Sequence, residues 1–219
     1  MPLYTPPSVK ATGAELDTLT DDAKFLTAKA VQDGKNVPHA VPSTAGKVLR
    51  SNGTDWASSN ILWSDLPTGS VVQTVVFNSV AVATGTTQMV LDDTIPQITE
   101  GNEYMTLAIT PKSATDTLVI ALTVMWTTAI STATNMIGAI FQDATAGALA
   151  ASTVATTGNS FSMQFNLTHT MVAGTTSATT FRLRMGCTAA GTTTFNGRAG
   201  GRLFGAINKA SMTITEIKV

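Results

Sequence analysis

The hydrophobic pattern changes character near Pro67. Downstream, short β-type runs alternate with Gly, Thr and Asn turns at close spacing. "EYMTLAITP" sets Tyr104, Thr106, Ala108 and Thr110 against Met105, Leu107 and Ile109, one wet face and one dry. "SFSMQFNLTHTMVAG" places Phe161, Met163, Phe165, Leu167 and His169 on one face. "TTFRLRMGCTAA" turns Phe181, Leu183, Met185 and Cys187 inward and Arg182 and Arg184 outward. "DTLVIALTVMWTT" is almost continuously apolar, the mark of a strand buried on both faces. "SVVQTVVFNSVAV" and "TTQMVLD" read as further strands, "MIGAIFQDATAGALAAST" as a hairpin turning near Asp143 to Gly147, and "SMTITEIKV" as a final strand with Met212, Ile214 and Ile217 partly buried. Eight to ten strands with no good helix after residue 69 predict an all-β sandwich, jelly roll or barrel.

Upstream of Pro67 the apolar residues have no long period. Pro2, Pro6 and Pro7 disfavour helix at the start. Residues 18–36, "TLTDDAKFLTAKAVQDGKN", predict one short helix, with Thr20 or Asp21 as cap, acids in the first turn and Gly34 at the end. Its stripe of Phe25, Leu26 and Ala30 is too narrow to hold it without a partner surface. Pro38 and Pro42 then impose an extended or turning chain. "GKVLRSNGTDWASS" follows, with a Trp among Gly, Ser, Asn and Thr, and "NILWSDLPTGS" adds Trp63. This organisation suggests a segment with a short helix over 1–35, an extended neck over 36–68 and a β-domain over 69–219.

Composition narrows the function classes. Only 12% of the 219 residues are charged, against about 25% in ordinary domains. Thr, Ser, Asn and Gln must therefore cover most of the surface, which suits an oligomer whose strands have dry neighbours. The net charge of −1 gives no electrostatic case for nucleic acid. The lone Cys187 excludes an internal disulfide. "TLVIALTVMW" is too short to span a bilayer, so no membrane insertion is expected, and the N-terminus lacks the pattern of a signal peptide.

Candidate chemistry is sparse. His39 and His169 lie far apart, and no Cys/His cluster or H-E-x-x-H motif appears, so neither a metal nor another cofactor is expected. "AGKV" fails as a phosphate loop because Val41 and Val48 stand where Gly and Ser or Thr are required. Asp92, Asp93, Glu100 and Glu103 lack calcium-loop spacing and read as loop charges, or as a weak cation site at an oligomer axis. Arg182 and Arg184 read as a paired outward row; with Arg198 and Arg202, the sharper reading is a basic groove for anionic sugars, to which Trp126, Phe195 and Asn196 would contribute if exposed. With no visible carboxylate pair, a glycan-cleaving enzyme gains little support, and the chain reads as non-enzymatic.

"DDAKFLTAKAV" (21–31) resembles a segment of the N-terminal parts of bacteriophage tail- and head-fibre proteins, with Ala28 where that pattern often has Pro. "GKVLRSNGTDWASS" resembles a short unit that recurs in phage fibres and phage-like adhesins, and "LPTGSVVQTV" resembles their entry into a C-terminal β-domain. Residues 95–124 and the ending "LFGAINKASMTITEIK" are similar to segments of phage fibre heads. The resemblance implies a homotrimer with an antiparallel jelly roll like those of tumour necrosis factor and complement C1q. It implies that the N-terminal segment docks on another virion protein, and that Phe25, Leu49, Trp56 and Trp63 make trimer or stalk contacts. It also implies a head domain on the virion surface, contacting host glycan or protein through loops 127–135, 143–158, 174–178 and 190–202, with Trp126, Phe195, Asn196 and Arg198 as the named contacts. A tail fibre is the main reading. A head fibre or capsid decoration protein is the close alternative, and a soluble C1q-like lectin the remote one.

Overall fold

The computed structural model describes residues 47–51, 56–158 and 161–219. The expected helix within 18–36, with Phe25, lies outside the described residues. The chain divides into two compact units, Met1–Asp65 and Leu66–Val219.

In the first unit, β1 (Lys47–Ser51) and β2 (Trp56–Asn60) pair antiparallel, with Lys47 opposite Asn60 and Ser51 opposite Trp56. The stretch expected to run extended along a stalk instead folds back on itself. A single 3-10 turn, Trp63–Asp65, follows. The Asp65 carboxylate closes it by accepting the Leu62 N–H at 2.9 Å, and it also pairs with Arg50 of β1.

The second unit contains ten strands: β3 (Val71–Ser79), β4 (Ala83–Gly85), β5 (Asn102–Ile109), β6 (Thr117–Thr128), β7 (Thr134–Gln142), β8 (Ala150–Thr156), β9 (Ser162–Val172), β10 (Thr179–Cys187), β11 (Thr193–Phe195) and β12 (Ala210–Ile217). One sheet runs β5-β10-β7-β8. In the other, β9 pairs with β6 along Thr117–Thr127. On the opposite edge of β6, β12 pairs along Thr117–Thr123 and β11 along Trp126–Thr128. β3 then flanks β12, and β4 flanks β11. The eight long strands thus run β3-β12-β6-β9 and β5-β10-β7-β8, all antiparallel, with the chain crossing repeatedly between sheets. That is the order of a jelly roll.

The alternating runs dictate this layering. Met105 and Ile109, Phe181, Leu183 and Met185, and Met136 and Ile140 face inward from one sheet. Leu118, Ile120, Leu122, Val124 and Trp126, with Phe165, Met212 and Ile214, meet them from the other. β6 is buried on both faces only in its second half, from Val124 to Thr128; its first half alternates. Gly138 of β7 faces the Phe165 ring across the sandwich, and a Cβ there would lie 2.6 Å from the ring. The ring stands edge-on to Trp126, at 6.3 Å and 85°.

Three expectations fail. Tyr104, expected on the wet face of β5, packs against the core at a register shift where β10 pairs with Met105 and Glu103 on either side of it. "TTQMVLD" is irregular rather than a strand. Its Met89 N–H donates to the Cys187 carbonyl at 3.1 Å, where β5 no longer covers the edge of β10. Phe161 lies just before β9 and is 48% exposed, whereas Met163, Phe165, Leu167 and His169 keep the inner register.

Glu216 is fully buried at the C-terminal end of β12. Its carboxylate accepts the backbone N–H groups of Lys112 and Ser113 at 2.7 and 3.2 Å and the Gln73 amide at 2.5 Å. One side chain thereby ties β12 to β3 and to the turn between β5 and β6.

Candidate interaction surfaces

The two sheets present different outer faces. Outside the sheet β5-β10-β7-β8, Arg182 and Arg184 each approach Glu103 at 3.4 Å. Arg184 also donates to the Glu100 and Gly101 carbonyls at 2.9 and 2.8 Å, and Arg182 to that of Asp143 at 2.6 Å. The arginines therefore form the paired row, not an open basic groove. Residues 86–101 cross this face, and Met89 and Ile98 bury Ile137, Ala139 and Phe141 beneath them in a second apolar cluster.

The acids of that segment act as loop builders. Glu100 accepts the Val90 and Gln97 N–H groups, each at 3.0 Å. Asp92 accepts from the Thr94 N–H and hydroxyl at 2.9 and 2.6 Å, and these bonds hold its carboxyl below the ordinary carboxylate range. Among the described residues, no three His, Cys, Asp or Glu side chains converge as metal ligands would.

The sheet β3-β12-β6-β9 presents the opposite character. Register places Val76, Thr213, Ala121 and Thr168 in one outward row, and Thr74, Thr215, Val119 and Thr170 in the next. Asn78, Ser211, Thr123 and Asn166 form a third. Across four strands there is no Asp, Glu, Lys, Arg or His on this face. Its side chains are small, β-branched or amide-bearing, and Thr123 bonds laterally to Asn166 and accepts the Gln164 amide at 2.7 Å.

Beside this face lies the loop 196–209. Asn196 stitches it down. It is buried in a left-handed conformation (φ 54°), donates to the Ser79 and Ala81 carbonyls at 3.1 and 3.2 Å and accepts from Asn208 at 2.7 Å. Thr127 donates to the Gly197 carbonyl at 3.0 Å, so the loop folds over the outer end of β6. Gly197 permits that approach, since a Cβ would lie 2.4 Å from the Gly201 carbonyl oxygen. Ala199, Phe204 and Ala206 also have positive φ. Phe204, in a 3-10 turn spanning Phe204–Ala206, is 69% exposed, and Ile207 is 81% exposed.

The residues named as host contacts are therefore not together on the surface. Trp126 and Phe195 are core residues, and Asn196 is the buried stitch. Phe195 stacks on Tyr104 at 5.1 Å, inside the sandwich. Only Arg198 is exposed. Of the expected contact loops, 150–156 is strand β8. Cys187 is buried, and desolvation raises its thiol pKa. Trp63 is 42% exposed in the first unit, while the side chains of Leu49 and Trp56 lie outside the described part of the structure. Sequence reasoning missed Phe204 and Ile207, although the acid-free run "NGRAGGRLFGAINK" carries both. Among the described residues, no helix is long and apolar enough to cross a membrane.

No family model matches the sequence, and no curated protein matches it. A solved structure described as "CBM4 structure and function" is 14% identical, covering 53% of this chain and 76% of that chain, with a TM-score of 0.29. Another, described as "Structure of infectious bursal disease virus Gx strain", is 10% identical, covering 78% of this chain and 42% of that chain, with a TM-score of 0.31. Likenesses this low carry no inference about function.

Proposed function

We propose that this chain is a structural fibre protein of a bacteriophage particle, its jelly roll being the head of a homotrimer. The N-terminal segment docks on another virion protein. The head stands on the virion surface and, as a tail fibre, contacts host glycan or protein. Weak sites repeated on one trimer and on several trimers per particle then bind by avidity.

What supports this reading is the charge-free outer face of β3-β12-β6-β9. A face left in water has no reason to exclude charge over four strands, whereas a face buried against copies of itself does. Charged side chains are depleted where interfaces are driest. Rows of small Thr, Val and Ala side chains let three copies of this face converge closely on one axis, and threefold symmetry repeats each contact.

The test is the solution mass of the full-length chain by size exclusion with light scattering. The expected mass is three times 22.7 kDa. Ala121 sits in the central row between Thr213 and Thr168. Ala121→Glu would bury an unpaired carboxylate in every copy, at about 3–5 kcal/mol each, and is expected to give a monomer with unchanged circular dichroism. A monomeric wild-type chain overturns the reading. A trimer that tolerates Ala121→Glu moves the contact off this face.

A further inference from the structure

The head carries two exposed patches of opposite charge that cannot reach each other within one chain. The first is the loop 196–209. It exposes Phe204 and Ile207 and carries Arg198, Arg202 and Lys209, all three exposed, with no acid. Among the described residues, none of these three cations has an ion-pair partner. The loop stands beside the edge of the sandwich formed by β3 and β4, where Arg202 and Val80 line an open groove of 610 Å³.

The second patch is residues 90–95. Val90, Leu91 and Ile95 are 57%, 51% and 61% exposed, around Asp92 and Asp93, with no cation in the segment. It lies over Ile137 of β7 and Ala151, Ser152 and Thr153 of β8, with a cavity of 180 Å³ between. β8 is the last strand of its sheet, and β9, the last strand on that side of the other sheet, adjoins it. The two patches therefore occupy opposite edges of the sandwich.

We infer that the 196–209 loop of one copy docks on the 90–95 patch of the next copy, making a heterologous contact that closes around the trimer. This rests on the self-association proposed above and adds a second, directional contact to the charge-free face. Each patch supplies what the other lacks: two large apolar side chains and cations against three aliphatic side chains and carboxylates. Patches on opposite edges of one chain can be satisfied together only head to tail, and a head-to-tail contact that closes makes a ring. The backbone supports a rigid docking element. An exposed aromatic in left-handed conformation, held by a buried Asn stitch, is strain of the kind that persists where a surface must be presented in one shape.

The experiment compares trimer dissociation, by light scattering over a dilution series, for full-length wild type, Asp93→Lys, Arg198→Glu/Arg202→Glu and the triple combination. Each reversal is expected to weaken the trimer by roughly tenfold or more, and the triple to recover much of that loss. Phe204→Ser/Ile207→Ser should weaken it at least tenfold without changing circular dichroism. The inference is overturned if the trimer tolerates both reversals, or if the triple is no better than its worse parent. It is also overturned if loop variants keep the trimer but lose binding to host cells or anionic vesicles, which would assign the loop to the host surface. A wild-type monomer sinks the underlying function as well; a trimer insensitive to these changes sinks only this contact.

Discussion

Replacing Glu216 tests how the last strand is anchored. Glu216→Leu keeps much of the side-chain volume and removes the carboxylate. Three hydrogen bonds to a charged acceptor disappear, from Lys112, Ser113 and Gln73. Such bonds contribute about 1.5–3 kcal/mol each when their donors have no other partner. The Gln73 amide keeps the Thr110 carbonyl as an acceptor at 2.8 Å, Lys112 is exposed and its amide can turn to water, and Leu adds some apolar burial, so the net cost falls to about 3 kcal/mol rather than the full sum. Unfolding the 154 residues Leu66–Val219 carries an entropy of about 0.3 kcal/mol/K, so Tm should drop by about 9 °C. Glu216→Gln retains an oxygen for the two backbone donors and should lose only about 1 kcal/mol, or about 3 °C. Thermal unfolding followed by circular dichroism reads both. A Leu variant that melts within about 2 °C of wild type, or a Gln variant as damaged as Leu, would refute the view that this buried carboxylate ties β12 to the β5–β6 turn.

Two further outcomes follow from the core. Gly138→Ala should destabilise the sandwich by about 1–3 kcal/mol because its methyl meets the Phe165 ring, and adding Phe165→Leu should return part of that loss; additive effects in urea titrations would show that the two positions do not touch. Cys187, with its thiol pKa raised by burial, should resist iodoacetamide in the native protein and react quickly in urea; labelling of the native chain at the rate of a free thiol would contradict its place between the sheets.

The sandwich was legible because strand burial follows a period of two. In β10 and β12 the inward residues fall where alternation predicts them. The fully buried half of β6 reflects cover on both faces, inside by the other sheet and outside by the 196–209 loop. Alternation carries less information at short elements. β11 has three residues, so Phe195 looked like part of a loop, although "TTTFNG" contains both the β-branched run that makes a strand and the Asn-Gly pair that ends it. "TTQMVLD" has strand composition but reaches β10 only past Met185, where β5 has ended, and its backbone bonds there through Met89 alone. No local signal reports that kind of competition. The hairpin of β1 and β2 is weakly encoded for a different reason: "SNGTD" has turn residues, but the strands beside it carry few apolar residues and no long period.

The distribution of charge constrains function more than its total does. Between Leu66 and Val219 there are seven acids and seven Lys or Arg residues, an even balance. Yet Asp92, Asp93, Glu100 and Glu103 lie within twelve positions, and no acid occurs from 144 to 215, where five cations fall. Two of those cations, Arg182 and Arg184, reach Glu103 on the outer face of the same sheet. Arg198, Arg202 and Lys209 do not, since the jelly roll sends their loop to the opposite edge from Asp92 and Asp93. Solubility alone would be served by mixing the signs over the surface. Separating them onto two edges, each beside exposed apolar side chains, leaves every isolated copy with two unmatched patches. The head-to-tail association proposed above would match both patches at once, so added salt should weaken that assembly even though the chain as a whole is nearly neutral.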